Sequence, residues 1–183
     1  KDLYRKIEPA PGIYEFLALL DATPGISVEN EARWEETGAI VYTDGTTGAG
    51  KGVMLTHANI SCNTQQLRAW FPEMKDGKES LLAVFPFFHS VGWTGIQNLS
   101  ILGGWTDILV PRPESQVVIE IMGKYKPALL PAMPEVYNGL LAREAFRKMD
   151  LSSVRGFLAG AAHLPGEAIK KIKTLKNSPV INI

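Results

Sequence analysis

Residues 40–57 read Ile40-Val41-Tyr42-Thr43-Asp44-Gly45-Thr46-Thr47-Gly48-Ala49-Gly50-Lys51-Gly52-Val53-Met54-Leu55-Thr56-His57. A β-branched and aromatic run closes on a loop in which four glycines, two adjacent threonines and a lysine fall within eight positions. Glycine lets the backbone approach an anion and point several N–H groups at it, the hydroxyls add donors, and the lysine supplies a point charge. A glycine pair alone reads as a flexible turn; this combination reads as a phosphate holder. The stretch is expected to be a buried strand, an anion-binding loop and then a helix start. Thr43, Asp44, Gly45, Thr46, Thr47, Gly48 and Lys51 are its candidate nucleotide-contacting residues.

Outward from the loop, short apolar runs alternate with longer amphipathic ones, the signature of β/α units. Strands are expected at residues 38–43, 81–86, 106–110, 127–130, 154–159 and 179–183. They are mostly continuous apolar runs, as a sheet covered on both faces requires. Val117, Val118, Ile121, Met122 and Tyr125 mark one helix face, and Ile169, Ile172 and Leu175 mark another between Pro165 and Lys176. In that second helix Lys170, Lys171, Lys173 and Lys176 gather toward the carbonyl end, where cations suit the helix dipole, and they read as a solvated face. A phosphate or CoA patch is the other reading of those lysines. The fold class is therefore α/β: an open, mostly parallel sheet with helices on both faces. Residues 1–36, with a short helix near 12–22, form a helical and linker segment, and 37–183 the α/β domain.

The chain has 183 residues, with 19 Lys+Arg against 19 Asp+Glu, and is 45% hydrophobic. That balance argues against disorder and against a nucleic-acid glove. A chain of this size buries roughly 70% of its unfolded surface, so a core needs no staple. The single cysteine, Cys62, and the lack of a long uninterrupted apolar run fit a cytoplasmic protein without a transmembrane segment. The chain opens Lys1-Asp2-Leu3 without an initiator Met and ends in a β-branched run, so a piece of a longer protein is expected. Three histidines without close H-x-H or C-x-x-C spacing argue against a metal site within the chain.

Two phosphate-binding families compete for the loop. Gly45 to Lys51 satisfies G-x-x-x-x-G-K, but Gly52 stands where a P-loop NTPase needs a Ser or Thr for Mg²⁺, and no strand ends in a Walker B Asp. The run Y-T-D-G-T-T-G-A-G-K-G-V-M-L-T-H instead resembles the signature of the adenylate-forming superfamily of acyl-CoA synthetases and luciferases. Asp44 replaces a small hydroxyl residue there, and Gly50 replaces proline, which is expected to loosen the loop. Phe85-Pro86-Phe87-Phe88-His89-Ser90-Val91-Gly92 resembles the family's aromatic-His segment, and Gly160-Ala161-Ala162 its small-residue turn against the adenine ring.

By resemblance, His89 sits beside the substrate carboxylate and the α-phosphate, with Phe88 and Trp93 in the substrate pocket. Trp93 resembles the gating tryptophan of fatty acyl-CoA synthetases, although plain core explains it equally. The catalytic set implied is His89, Lys51 and Thr46; Gly160, Ala161 and Ala162 join the nucleotide set. The implied partners are a carboxylic acid, ATP with Mg²⁺, and CoA as co-substrate. The apolar residues Ile96, Leu99 and Leu102 after Trp93 favour a fatty acid. The family's aromatic-Gly-x-T-E motif, ribose-binding Asp and C-terminal catalytic Lys are absent, so the isolated chain is expected to be inactive. A P-loop NTPase and a degenerate, non-catalytic acyl- or nucleotide-binding scaffold are the alternatives.

Overall fold

The computed structural model describes residues 10–25, 27, 29–43 and 48–182. The chain divides into two compact units between Arg33 and Trp34. In the first, helix α1 (Phe16–Ala22) is shorter than the 12–22 expected, because Gly12 takes a left-handed φ of 82° before the helix begins. Thr23 closes it, donating from Oγ1 to the Leu19 carbonyl at 2.6 Å.

The second unit holds a five-stranded sheet of β3 (Ser80–Ala83), β4 (Thr106–Leu109), β5 (Leu129–Ala132), β6 (Gly156–Ala159) and β7 (Val180–Asn182), in the order β4-β3-β5-β6-β7. Every pairing is parallel. Each residue of β5 and β6 is buried, which is why these two strands read as unbroken apolar runs.

The strand expected at 38–43 forms but stays outside this sheet, so five of the six expected strands build it. β1 (Thr37–Tyr42) pairs antiparallel with β2 (Gly52–Thr56), Ile40 opposite Met54 and Tyr42 opposite Gly52. Only nine residues separate the two strands, too few for the crossover that parallel pairing needs, so the chain turns straight back. β1 is also not buried: Tyr42 is 72% exposed. The helix expected directly after Lys51 is displaced by β2 and begins at His57. There Thr56 and Asn59 form a capping box, Thr56 Oγ1 accepting from the Asn59 amide at 3.1 Å and Asn59 Oδ1 from the Thr56 amide at 3.0 Å.

The connection from β3 to β4 carries α3 (Ser90–Gly92), a π-helical stretch (Trp93–Asn98) and α4 (Leu99–Gly103), against which α2 (His57–Ala69) packs. α5 (Ser115–Tyr125) then leads back across β3 to β5, and α6 (Pro134–Ala142), α7 (Glu144–Arg147) and α8 (Gly166–Leu175) follow. Right-handed crossovers in opposite directions place these two groups on opposite faces. The chain leaves β3 toward one edge and β5 toward the other, so the crevice outside their carboxyl ends is the topological switch point, where open α/β sheets bind ligands. Pro131 in β5 has no N–H to give, and the β3–β5 ladder carries a single pairing, Leu81 opposite Leu129. Beneath this junction the fully buried Tyr137 donates its hydroxyl to the carbonyls of Leu130 at 2.5 Å and Leu158 at 3.3 Å, fixing α6 to β5 and β6. Burial pushes that hydroxyl well above the usual tyrosine range. Among the described residues no helix is long and apolar enough to cross a membrane.

At the sheet edge, burial raises the Asp107 carboxyl of β4 above the usual aspartate range, partly opposed by the Ser100 hydroxyl that it accepts at 2.5 Å. A carboxyl raised on folding lowers stability as the pH climbs from its unfolded value through its folded one. Asp107→Asn keeps an acceptor for Ser100 and removes the charge. Its melting temperature is expected to exceed that of the parent at pH 7, the gap closing below about pH 3, where both side chains are neutral. An equal gap at both pH values in thermal melts would contradict this.

Candidate functional site

Thr43 and Lys51 close the loop at the hairpin tip. The Thr43 amide donates to the Lys51 carbonyl at 3.0 Å, and the Lys51 amide donates to Thr43 Oγ1 at 3.1 Å. Lys51 is exposed and its ammonium has no ion pair among the described residues. Asp44, Gly45, Thr46 and Thr47 lie outside the described residues; Gly48 is described and exposed. Gly50 does more than loosen the loop, because a Cβ there would lie 2.7 Å from the Thr43 carbonyl oxygen. The absence of a side chain is what lets the two hairpin arms approach. In a P-loop NTPase the lysine opens a helix, whereas here Lys51 directly precedes strand β2, so the hairpin departs from that architecture. Thr43→Val keeps the shape and deletes the acceptor for the Lys51 amide. It is expected to speed hydrogen exchange of the Lys51 amide about two- to tenfold, and an unchanged exchange rate would show that the Thr43 hydroxyl does not hold that amide.

The chain leaves β3 through buried Val84 and Phe85 and reaches His89, which starts α3. His89 Nδ1 accepts the Val91 amide at 3.1 Å, so in the neutral ring the proton sits on Nε2, leaving that nitrogen as the donor. The ring centroid stands 6.0 Å from that of Phe85, and the His89 amide donates to the Pro86 carbonyl at 3.0 Å. A Cβ on Gly92 would overlap that same Pro86 carbonyl, so glycine permits the helix to start against the loop. The helix passes at once into its π-helical stretch, an irregularity often found at functional sites.

Phe88 points away from the protein, 90% exposed, and Trp93 is half-buried. Ile96 and Leu99, which with Leu102 favoured a fatty acid in the sequence, are fully buried in the core, and Leu102 is exposed, so the burial of the first two is explained by packing.

The concave surface beside His89 is elsewhere. A groove of about 560 Å³ runs between β2, α2 and the start of the His89 helix. Leu55, Ile60, Leu67 and Val91 give it apolar walls, and Asn63 and Thr94 give polar points. Neither His89 nor Trp93 is among its lining residues, although Ser90 and Val91, directly after His89, are. The sequence reading missed these positions, although Asn59, Asn63 and Leu67 recur every fourth residue along α2, the spacing of one helix face.

At the carboxyl end of β6, buried Gly160 donates to the Ala132 carbonyl of β5 at 3.3 Å. Ala161 takes a left-handed φ of 67°, a conformation costing a non-glycine residue on the order of 1 kcal/mol. Ala161 and Ala162 are exposed, and Asn182 Oδ1 braces the turn by accepting the Leu164 amide at 3.3 Å. The fold thus carries His89 and Gly160–Ala162 to the same end of the parallel sheet, with the end of β5 between their strands. No group of three or more His, Cys, Asp or Glu is placed to hold a metal among the described residues.

The chain belongs to the AMP-binding enzyme family, whose sequence pattern matches residues 9–183. The long-chain-fatty-acid–CoA ligase of Bacillus subtilis (strain 168) is 42% identical over 140 residues, covering 76% of this chain and 25% of that protein. Among solved structures, ATP-bound MatB from Rhodopseudomonas palustris shares the fold with a TM-score of 0.78 at 24% identity, over 90% of this chain and 32% of that one. The N-terminal domain of FACL13 from Mycobacterium tuberculosis, an inhibitor-bound structure, gives 0.69 at 27% identity, over 84% and 38%. The chain spans about a quarter of the length of the curated relatives it matches.

Proposed function

We propose that these residues form the nucleotide- and acid-binding centre of an ATP-dependent acid–CoA ligase, within a longer protein. The observation that carries this reading is the groove that runs from Leu55, in the hairpin strand after the phosphate loop, to Ser90 and Val91, directly after His89. A carboxylate oxygen attacks the α-phosphorus of ATP and pyrophosphate leaves, giving an acyl-AMP. The thiol of CoA then attacks the acyl carbon, and AMP departs with that oxygen.

In the first step the protein's tasks are alignment and charge neutralisation. His89 Nε2–H donates to the carboxylate. Lys51, the loop amides and the hydroxyls of Thr46 and Thr47 share the task of neutralising the departing pyrophosphate, with Mg²⁺ supplying further positive charge when bound. Thr43 holds the loop closed, and Gly160, Ala161 and Ala162 lie against the adenine. The acyl group enters the groove; Phe88 and Trp93 border its approach. A fatty acid is the substrate class that the apolar walls and the Bacillus subtilis relative support. Asp44 adds a negative charge, which the triphosphate repels, to the loop proposed to hold it.

The test is to incubate the full-length protein with ATP, Mg²⁺, CoA and a panel of fatty and aryl acids, and to identify the products. Acid-dependent AMP and pyrophosphate are expected. ADP and phosphate formed without acid would overturn the reading, and ATP binding without any product would point to a non-catalytic scaffold. The 183-residue chain alone is expected to show no acid-dependent exchange of pyrophosphate into ATP. Exchange at a rate comparable to the full-length protein would show that these residues suffice for the first step.

A further inference from the structure

On the sheet face that carries α6 and α8, a concave strip is built from helices alone. One hollow of about 400 Å³ lies over Leu141, Leu175 and Thr174, with Arg147 and Lys171 at its rim. A second of about 320 Å³ shares Leu141 and Lys171 and continues between α6 and α8 past Asn138 and Ala168, with Glu167 also in its lining. Leu141 and Leu175 are only partly buried: their inner sides pack on the core, and their outer sides form the floor.

The charge around this strip departs sharply from that of the chain. Residues 143–148 and 166–176 carry seven basic and two acidic side chains in a protein whose net charge is zero. Both acids are engaged within their own helices, Glu167 with Lys171 at 2.8 Å and Glu144 with Lys148 at 2.6 Å. Arg143, Arg147 and Lys170 have no carboxylate partner among the described residues. Arg147 is held in place by donating from Nη1 to the Leu141 carbonyl at 2.7 Å, which fixes a cation at the edge of the apolar floor.

We infer that this strip is a docking surface for an acidic amphipathic helix of a partner protein. Both walls are helices whose backbone groups are satisfied internally, so no strand edge is offered and recognition falls to side chains in a groove. The leucine floor takes the partner's apolar stripe, and Arg147 at the rim, with Lys170 next to Lys171 in the chain, takes carboxylates flanking it. Such flanking charges set partner choice and orientation. The strip shares no residue with the groove beside His89, so the inference stands independently of the proposed activity.

The probe is a synthetic helical peptide of about five turns, with leucines along one stripe and glutamates beside it. It is titrated into the ¹⁵N-labelled full-length protein, together with a twin carrying lysine for glutamate and with vesicles of anionic lipid. The acidic peptide is expected to bind saturably and to shift resonances of residues 138–148 and 165–175. Binding is expected to weaken about tenfold in Lys170→Glu/Lys171→Glu, whose exposed positions leave the fold intact, and to weaken as salt rises. Equal binding of the lysine twin would overturn the inference. So would shifts elsewhere, no binding of the acidic peptide, or capture by the vesicles without peptide binding.

Discussion

Lys51→Met in the full-length protein is expected to lower acid-dependent pyrophosphate release about a hundred- to thousandfold, the usual effect of removing one charge-stabilising donor from a preorganised site. The backbone of Lys51 is pinned from both sides by Thr43, through the Thr43 amide and the Thr43 hydroxyl, so the loop keeps its shape without the ammonium. Methionine preserves the unbranched stem. Because Lys51 is exposed and forms no ion pair among the described residues, its removal leaves the melting temperature unchanged. Negative charge on the departing phosphates grows in the transition state, so the loss falls mainly on kcat and less on the KM for ATP. A wild-type rate in this variant would remove Lys51 from the reaction.

Gly92→Ala is expected to be strongly destabilising. The added Cβ overlaps the Pro86 carbonyl oxygen and comes within 3.2 Å of the Phe85 carbonyl oxygen, both on the backbone and unable to swing aside. Overpacking of this kind costs about 1–3 kcal/mol or more, and in a domain of this size a melting temperature falls by about 2–4 °C for each kcal/mol. The same displacement moves His89, whose amide is bonded to Pro86, so acid activation and stability are lost together. Gly166→Ala is the control, since a Cβ there meets nothing within 4 Å and the backbone is free of left-handed strain; it is expected to melt at or slightly above the parent. Equal melting temperatures for the two variants, measured by calorimetry, would contradict the close approach at Gly92.

Much of the fold was legible because its central strands are buried on both faces. Leu129–Ala132 and Gly156–Ala159 leave no polar alternation to confuse, and only their ends shift by a residue or two. β2 was not legible: Val53-Met54-Leu55 is too short an apolar run to separate a strand from a helix start, and the loop length that forces a hairpin matters only once both strands are known. The capping box at Thr56 uses Asn59 where the common pattern has Glu or Gln, so the start of α2 lacked its usual marker.

For the site, residue type was informative where the backbone does the work and silent where packing decides. Glycines around Lys51 and the small residues after β6 could be picked out, because only such residues permit the turns they occupy. Phe88 and Ile96 illustrate the opposite limit. An aromatic or aliphatic side chain near a motif reads the same whether it lines a pocket, fills a core or faces water, and these two proved exposed and buried respectively. The groove arises from three elements brought together by tertiary packing, so Leu55, Asn63 and Thr94 carry no local sign of sharing it.

Isotope transfer tests the central claim most directly. The full-length protein is supplied with a fatty acid labelled with ¹⁸O in its carboxylate, together with ATP, Mg²⁺ and CoA, and the label is followed by mass spectrometry. Attack of the carboxylate on the α-phosphorus predicts one ¹⁸O in the AMP released and none in the pyrophosphate. Label in inorganic phosphate, with ADP as the nucleotide product, would contradict adenylation, as would AMP free of label.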